Sequence, residues 1–600
     1  MRTLAIALLG LGAGCLTPTA TFAATSNAKQ CNLKVELQIP ITMHGLTPVT
    51  DAKLDGKDVP LIVDSGAFFS MLSPAVAAEL KLPLRMAPFG LTVSGVVGSA
   101  DVPQVTDVTL TLAQTTFQHK FEFLVGGNDV SGFGRGLLAQ DNLLGIADVE
   151  YDLANGVIRL IKPEGNCDYL QFLYWAKDST PFSMLEINKT TLLEPHTVAT
   201  AMVNGSKIKV IFDTGAGSSY LSLHSAERVG VKPDSPGVTP GGLTHGLGRG
   251  TVNTWIAPFE SFRLGSEEIR NTRLRIGELT FKVGDMLIGA DFFLSHRIYV
   301  ANSQHKLYFT YNGGPVFNLT TAAPTQTATA SDTNVPDDAL LGSEPKTSEE
   351  FFRRGTAFLS RRDYTHALPD LQRACELGPQ EPKYFFERAR LYSQAGQLAL
   401  ADADLDTTLK LQPDNVDALF WRAMRKLSRK DNTGAIADLD AVDHAAASQA
   451  NIRLELGRAY QKAEQFPEAL KQYDLWAGAH NDDEGLATVF SGRCLVRALI
   501  DQSLGPTLYD CNRALSGRTE NPDALSGRAL VYLRLGKFDR AIPDFSAVLK
   551  QQPQNARALL GRALAERELK KTPDAQTDYA AATALDPNIV EDFRKRGILP

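Results

Sequence analysis

The chain has 600 residues, too many for one hydrophobic core, so several domains are predicted. Hydrophobic residues make up 44% and charged residues 22%, an ordinary globular balance. A net charge of -7 without any Lys/Arg block excludes the electrostatic footprint of a nucleic-acid-binding or membrane-surface protein. The N-terminal stretch has one early Arg, a short apolar run and then small residues, the pattern of a signal peptide over 1–24 cleaved near Ala23 or Ala24. The expected destination is export, to the periplasm or the medium. Lipidation at Cys15 is the weaker reading, since the leucine usually found three residues earlier is missing. The apolar run is too short for a spanning helix, and no other segment is predicted to cross a bilayer.

From residue 32 the chain is rich in Val, Ile, Thr and Gly, and β-strands are predicted. "LDGKDVPLIVDSGAFFSMLS" (54–73) and "VNGSKIKVIFDTGAGSSYLS" (203–222) share one frame. A tight-turn dipeptide feeds an apolar strand that ends in Asp-(Ser/Thr)-Gly-Ala, at Asp64-Ser65-Gly66 and Asp213-Thr214-Gly215. Ser70, Leu72 and Ser73 then match Ser219, Leu221 and Ser222, and a short amphipathic helix follows each. Glycine-rich hairpins come next, with Gly95 and Gly98 at 93–100 and Gly246 and Gly248 at 244–250. An apolar pair before glycine follows, from Asn142 in one copy and from Met286 in the other. Two β-rich units are therefore predicted, 32–161 and 181–312, joined by 162–180. Asp148, Glu150 and Asp152 alternate, which predicts a solvated strand face. His245 in the second hairpin is either a substrate contact or an ordinary exposed loop residue.

Residues 318–347 are rich in Thr, Ala, Pro and Asp and lack hydrophobic periodicity, so a flexible linker is predicted. The remainder, 349–600, is helical and repetitive. Small residues recur 34 apart at Gly355, Ala389, Ala423 and Gly457, and Cys494, Ala529 and Ala563 continue the series. A second small residue lies twelve further on, from Ala367 to Ala575. Two antiparallel helices approach closely only where facing side chains are small, so about seven helical hairpins and a closing helix are expected. Cys31 and Cys167 flank the first β-rich unit and are the candidate disulfide, with two free thiols as the alternative. Cys494 and Cys511 lie on facing sides of the two helices of one repeat and read as small core residues, with a disulfide between them as the lesser alternative, and Cys375 reads as a small core residue too. The cysteine spacing fits no zinc pattern, and no metal is predicted.

The period and pattern of the helical half resemble tetratricopeptide repeats. The duplicated Asp-(Ser/Thr)-Gly frame, with its glycine hairpins and apolar-apolar-Gly segments, resembles the retropepsin/pepsin clan of aspartic peptidases. That resemblance implies an all-β double lobe, no cofactor, and a catalytic pair of Asp64 and Asp213 on an internal pseudo-dimer. Ser65, Gly66, Thr214 and Gly215 would support the site, and the glycine hairpins would close over substrate. Two carboxyls about 3 Å apart cannot both ionise, so they share a proton. One then activates water while the other polarises the scissile carbonyl. Phe68 and Phe69, where the second copy has Gly217 and Ser218, depart from the pattern. The expected function is thus an exported aspartic endopeptidase acting on peptide or protein substrates, with repeats that bind substrate or a protein partner. A non-catalytic peptide-binding scaffold with degenerate lobes is the alternative.

Overall fold

The computed structural model describes residues 31–317, 319 and 344–598, apart from 89–90, 96–98, 127–133, 142–146, 169, 178, 190–195, 246–250, 282, 481–484, 501–502 and 517–519. The predicted signal peptide and most of the predicted linker lie outside the described residues.

The first lobe runs β1 (Asn32–Pro40), β2 (Thr42–His44), β3 (Thr47–Leu54), β4 (Lys57–Val63), β5 (Met71–Leu72), α1 (Pro74–Glu79), β6 (Arg85–Met86), β7 (Thr92–Ser94), β8 (Ser99–Asp101), β9 (Gln104–Leu112), β10 (Thr115–Val125), β11 (Gly136–Leu138), β12 (Asp148–Asp152) and β13 (Val157–Glu164). The second runs β14 (Ser183–Glu186), β15 (Val198–Val203), β16 (Ser206–Phe212), β17 (Tyr220–Ser222), α2 (Leu223–Arg228), β18 (Thr239–His245), β19 (Thr251–Leu264), β20 (Glu267–Gly277), β21 (Met286–Ile288), α3 (Ala290–Ser295), β22 (His296–Ala301) and β23 (Lys306–Tyr311). The hairpins β3–β4 and β15–β16 turn at Asp55-Gly56 and Asn204-Gly205. All four turn residues have positive φ, as a two-residue turn between twisted strands requires.

The lobes share one sheet. Its order is β1-β13-β12-β22-β23-β14, three strands from each lobe, with β12 and β22 antiparallel at the centre (Glu150 opposite Tyr299). The acidic residues of β12 are therefore not solvated. Asp148, Glu150 and Asp152 are each 0–2% exposed, because both faces of this central strand are covered. Glu150 accepts from Arg297 Nε and Nη2 (3.0 and 2.7 Å) and also binds Arg159 and the Tyr174 hydroxyl. Asp148 accepts from the amide and hydroxyl of Ser303 (both 2.8 Å). A bond between Cys31 and Cys167 ties the start of β1 to the connection after β13.

The helical half is a run of hairpins: α4 (Ser348–Ser360) with α5 (Tyr364–Leu377), α6 (Pro382–Gln394) with α7 (Leu398–Leu411), α8 (Val416–Ser428) with α9 (Asn432–Ala445), α10 (Ile452–Lys462) with α11 (Phe466–Ala479), α12 (Leu486–Leu499) with α13 (Leu504–Leu515), α14 (Pro522–Arg534) with α15 (Phe538–Gln551) and α16 (Ala556–Glu568) with α17 (Thr572–Leu585), closed by α18 (Ile589–Lys595). The small residues sit at the crossings: a Cβ on Gly457 would stand 2.7 Å from the Tyr473 ring. At Cys494 and Cys511 the lesser alternative holds rather than two lone core thiols. They face each other across α12 and α13 and form a second disulfide, while Cys375 stays free and buried.

Candidate active site

Each Asp-(Ser/Thr)-Gly turn is held by its own lobe in the same way. β4 and β16 end at Val63 and Phe212. The Asp64 amide then donates to Leu138 O (3.0 Å) and the Asp213 amide to Ile288 O (2.9 Å). One carboxylate oxygen of Asp64 accepts from the amides of Gly66 (2.9 Å) and Ala67 (2.8 Å). Asp213 accepts from Gly215 (2.9 Å) and Ala216 (3.1 Å). These bonds orient both carboxyls outward from a strand end and leave one oxygen of each for the other.

The turns then lock across the lobes. Ser65 Oγ donates to Phe212 O (3.1 Å) and accepts from the Thr214 amide (3.0 Å). Thr214 Oγ1 donates to Val63 O (2.7 Å) and accepts from the Ser65 amide (3.0 Å). Each hydroxyl thus bridges backbone groups of the opposite turn, and both are buried. The glycines allow the approach. A Cβ on Gly66 would lie 2.1 Å from Asp213 Cγ, and one on Gly215 would lie 2.3 Å from Asp64 Cγ.

The carboxyls of Asp64 and Asp213 are hydrogen-bonded to each other. Burial pushes both up from the ordinary carboxylate range. Two backbone amides restrain each of them alike, and Asp213 goes furthest because the Asp64 charge adds to its burial. Burial of two carboxyls in contact disfavours charge on both at once, which favours one proton held in common. The arrangement offers a base and an acid side by side.

A second tier supports the turns. Ser70 donates from its amide and hydroxyl to Asp141 (3.1 and 2.9 Å), and Ser219 does the same to Asp291 (3.0 and 2.7 Å). Their hydroxyls accept from the amides of Ala139 (3.0 Å) and Gly289 (2.9 Å). This register corrects the sequence alignment of the two copies. Leu137 pairs with Ile62 as Leu287 pairs with Ile211. The counterpart of Leu287-Ile288-Gly289 is Leu137-Leu138-Ala139, not Leu143-Leu144-Gly145 after Asn142, which lie outside the described residues. Alanine in place of glycine hid the match. A Cβ at Gly289 would meet Ala216 O at 2.6 Å, so the second lobe needs glycine where the first accommodates a methyl.

Of the predicted hairpin residues, Gly95 follows β7 in a two-stranded ribbon with β8, while Gly98, Gly246 and Gly248 lie outside the described residues. The second hairpin, β18–β19, instead continues the large sheet of its lobe. Phe68 and Phe69 form an edge-to-face pair (4.5 Å between ring centres) beside the first turn, whereas Gly217 leaves room for Leu46, which a Cβ there would meet at 3.2 Å. Sequence reasoning missed His196, which lies against Gly66 and Asp64. Its signal was available: it stands 17 residues before Asp213, where Thr47 stands 17 before Asp64. No group of His, Cys, Asp and Glu among the described residues forms a metal site.

A family model described as aspartyl protease matches residues 50–146 and 199–292, one match per lobe, and a tetratricopeptide-repeat model matches 386–451 and 527–588. Among solved structures the chain is similar to YrrB, described as a tetratricopeptide-repeat protein with an unusual peptide-binding site (18% identity, 38% of this chain and 97% of that one, TM-score 0.20). It is also similar to a repeat protein from Parabacteroides merdae (17%, 42% and 98%, 0.31) and to pilF of Pseudomonas aeruginosa (16%, 36% and 96%, 0.28). The chain carries a duplicated aspartyl-protease-type domain followed by a tetratricopeptide-repeat domain.

Proposed function

We propose that the protein is an exported aspartic endopeptidase whose two lobes supply one carboxyl each to a single site. The observation that carries this reading is the close pairing of Asp64 and Asp213, held by reciprocal Ser65 and Thr214 hydroxyls. In the reaction, the ionised member takes a proton from a water molecule. The resulting hydroxide bonds to the scissile carbonyl carbon while the protonated member donates to its oxygen. The proton now on the pair passes to the amide nitrogen, a hydroxyl of the tetrahedral carbon returns its proton to the other carboxylate, and the C–N bond breaks to give acid and amine, leaving the pair again with one proton.

Export is supported by two disulfides, which persist in oxidising compartments, and by the leader-like composition of residues 1–24. No helix among the described residues is long and apolar enough to cross a membrane. The repeats are assigned to a protein partner or substrate. A cavity of about 740 Å³ bordered by Arg458, Tyr473, Ser491, Asn521, Asp523 and Gln551 offers polar groups to an extended chain.

The test is cleavage of denatured casein by the full chain across pH. Asp64→Asn and Asp213→Asn should each lower the rate by about a hundredfold or more. Cleavage unaffected by both changes would remove the pair from the mechanism. The Phe68–Phe69 pair favours a second reading, in which the lobes bind peptide without cutting it. Saturable casein binding by a chain that shows no cleavage at any pH is its expected result.

A further inference from the structure

The backbone treats Asp64 and Asp213 almost identically, so the turns alone do not decide which carboxyl carries the charge. Several side chains differ between the lobes, but one difference sets an ionisable ring against the pair. Val49 pairs with Ile62 as Val198 pairs with Ile211, which makes Thr47 and His196 equivalent places in the two lobes. His196 directly precedes Thr197, whose carbonyl accepts from the Phe212 amide (3.1 Å), so its backbone is fixed to the second lobe. Its imidazole, however, faces the first lobe, beside the Gly66 carbonyl and Asp64. The ring is half-buried, and Nδ1 is buried without a hydrogen-bond partner among the described residues.

We propose that His196 is a positioning residue that assigns the charge within the pair: Asp64 is the base toward water, and Asp213 keeps the shared proton. It acts through Asp64, and the assignment rests on the reading of the two aspartates as the catalytic pair. The charged group acting on the ring is Asp64, on the turn after β4. Beyond it lie Asp213, on the turn after β16, and Tyr151 of β12, whose phenol is pushed up by burial and stays neutral. A donor or cation beside Asp64 favours its ionised form, and Thr47 supplies no charge at the equivalent place. Burial lowers the imidazole below its ordinary value, so it charges only as the medium turns acidic. That is the range in which the pair would take up its second proton and fall silent. A charged His196 opposes that uptake and carries activity to lower pH.

Two measurements test this. The first needs no catalysis: an NMR titration of the His196 ring in the full chain, assigned by the resonance lost in His196→Gln. Asp64→Asn should lower the His196 midpoint by about one pH unit, and Asp213→Asn should move it less. An unmoved midpoint in Asp64→Asn overturns the pairing whether or not the chain cleaves peptides. The second is the pH profile of casein cleavage at low substrate. His196→Gln should raise the acid limb by about one pH unit and leave the alkaline limb in place, and His196→Arg should bring it back down. An acid limb unchanged in both variants overturns the assignment of Asp64 as base. A wild-type chain without cleavage at any pH overturns that assignment together with the reading it rests on, while the titration still decides whether His196 and Asp64 interact.

Discussion

Asp291 shows how a buried carboxyl can brace a site and set its pH response. It accepts from the Ser219 amide and hydroxyl and from the Phe292 amide (2.9 Å). Burial still outweighs these donors and pushes it up to about 6 from an ordinary 3.8. The folded chain therefore holds this proton more tightly than the unfolded chain. The stabilisation is complete below about pH 4 and is lost as pH rises through 6, amounting to about 3 kcal/mol for a shift of this size. Asp64, Asp213 and Asp148 are raised as well, so they act in the same direction. Urea unfolding at a series of pH values should show stability falling between pH 4 and 6, and Asp291→Asn should flatten that slope. An equal slope in the variant would take Asp291 out of the account. Ser219 and Ser70 were visible in the sequence as matched offsets, six residues after each aspartate. Their acceptors were not, because Asp141 and Asp291 lie 71 and 72 residues further along the chain.

At the level of elements, strands and helices were legible wherever short-range pattern decides them. The Asp55-Gly56 and Asn204-Gly205 turns located two hairpins, and the 34-residue recurrence of small residues located the helical pairs. Charged residues were misjudged when their partners are distant or on another element. Glu150 reads locally as a solvated residue, yet its partner Arg297 comes from the other lobe, 147 residues away. The repeats hold a similar surprise. The residue before most of the recurring small positions is arginine, and it makes a two-pronged pair with an aspartate on the second helix of its hairpin: Arg354 with Asp370, Arg388 with Asp404, Arg422 with Asp438, Arg528 with Asp544 and Arg562 with Asp578. The fourth hairpin has Leu456 and Gln472 at these places, and Arg453 reaches Gln472 instead (2.7 Å). Spacings of 16 residues do not follow one helical face, so amphipathic periodicity does not reveal them. Removing one member of a buried pair leaves the other charge without compensation. Glu150→Ala should therefore destabilise the paired lobes by about 3 kcal/mol, read from the denaturation midpoint. A loss near zero would mean that Arg159 and Arg297 find solvent or other acceptors.

Across the whole molecule, the lobes and the repeats are packed together rather than merely tethered. Ala357 of α4 is fully buried within the lobes' own hydrophobic core. Arg361, just after α4, is 8% exposed and donates to Leu294 O (3.3 Å) and Gly313 O (2.5 Å) of the second lobe. Gly156 completes the fit, since a Cβ there would strike Arg353 at 2.5 Å. His44, at the end of β2, stands 3.7 Å from Glu387 of α6, and Leu46 two residues later leans on Gly217 beside the second aspartate turn. The first repeats thus brace the hairpin that walls the site. This contact was not legible in the sequence, where the stretch before residue 348 reads as a separator and the helices after it as an independent array. If the packing holds the halves together, cutting the chain between them should not separate them. With a protease recognition sequence inserted between residues 320 and 343, the nicked protein should elute as one species in size-exclusion chromatography. Ala357→Arg forces a long cation into the shared core and should release two fragments after the same cut. Two peaks from the nicked parent chain would show that the interface is too weak to transmit anything from the repeats to the paired aspartates.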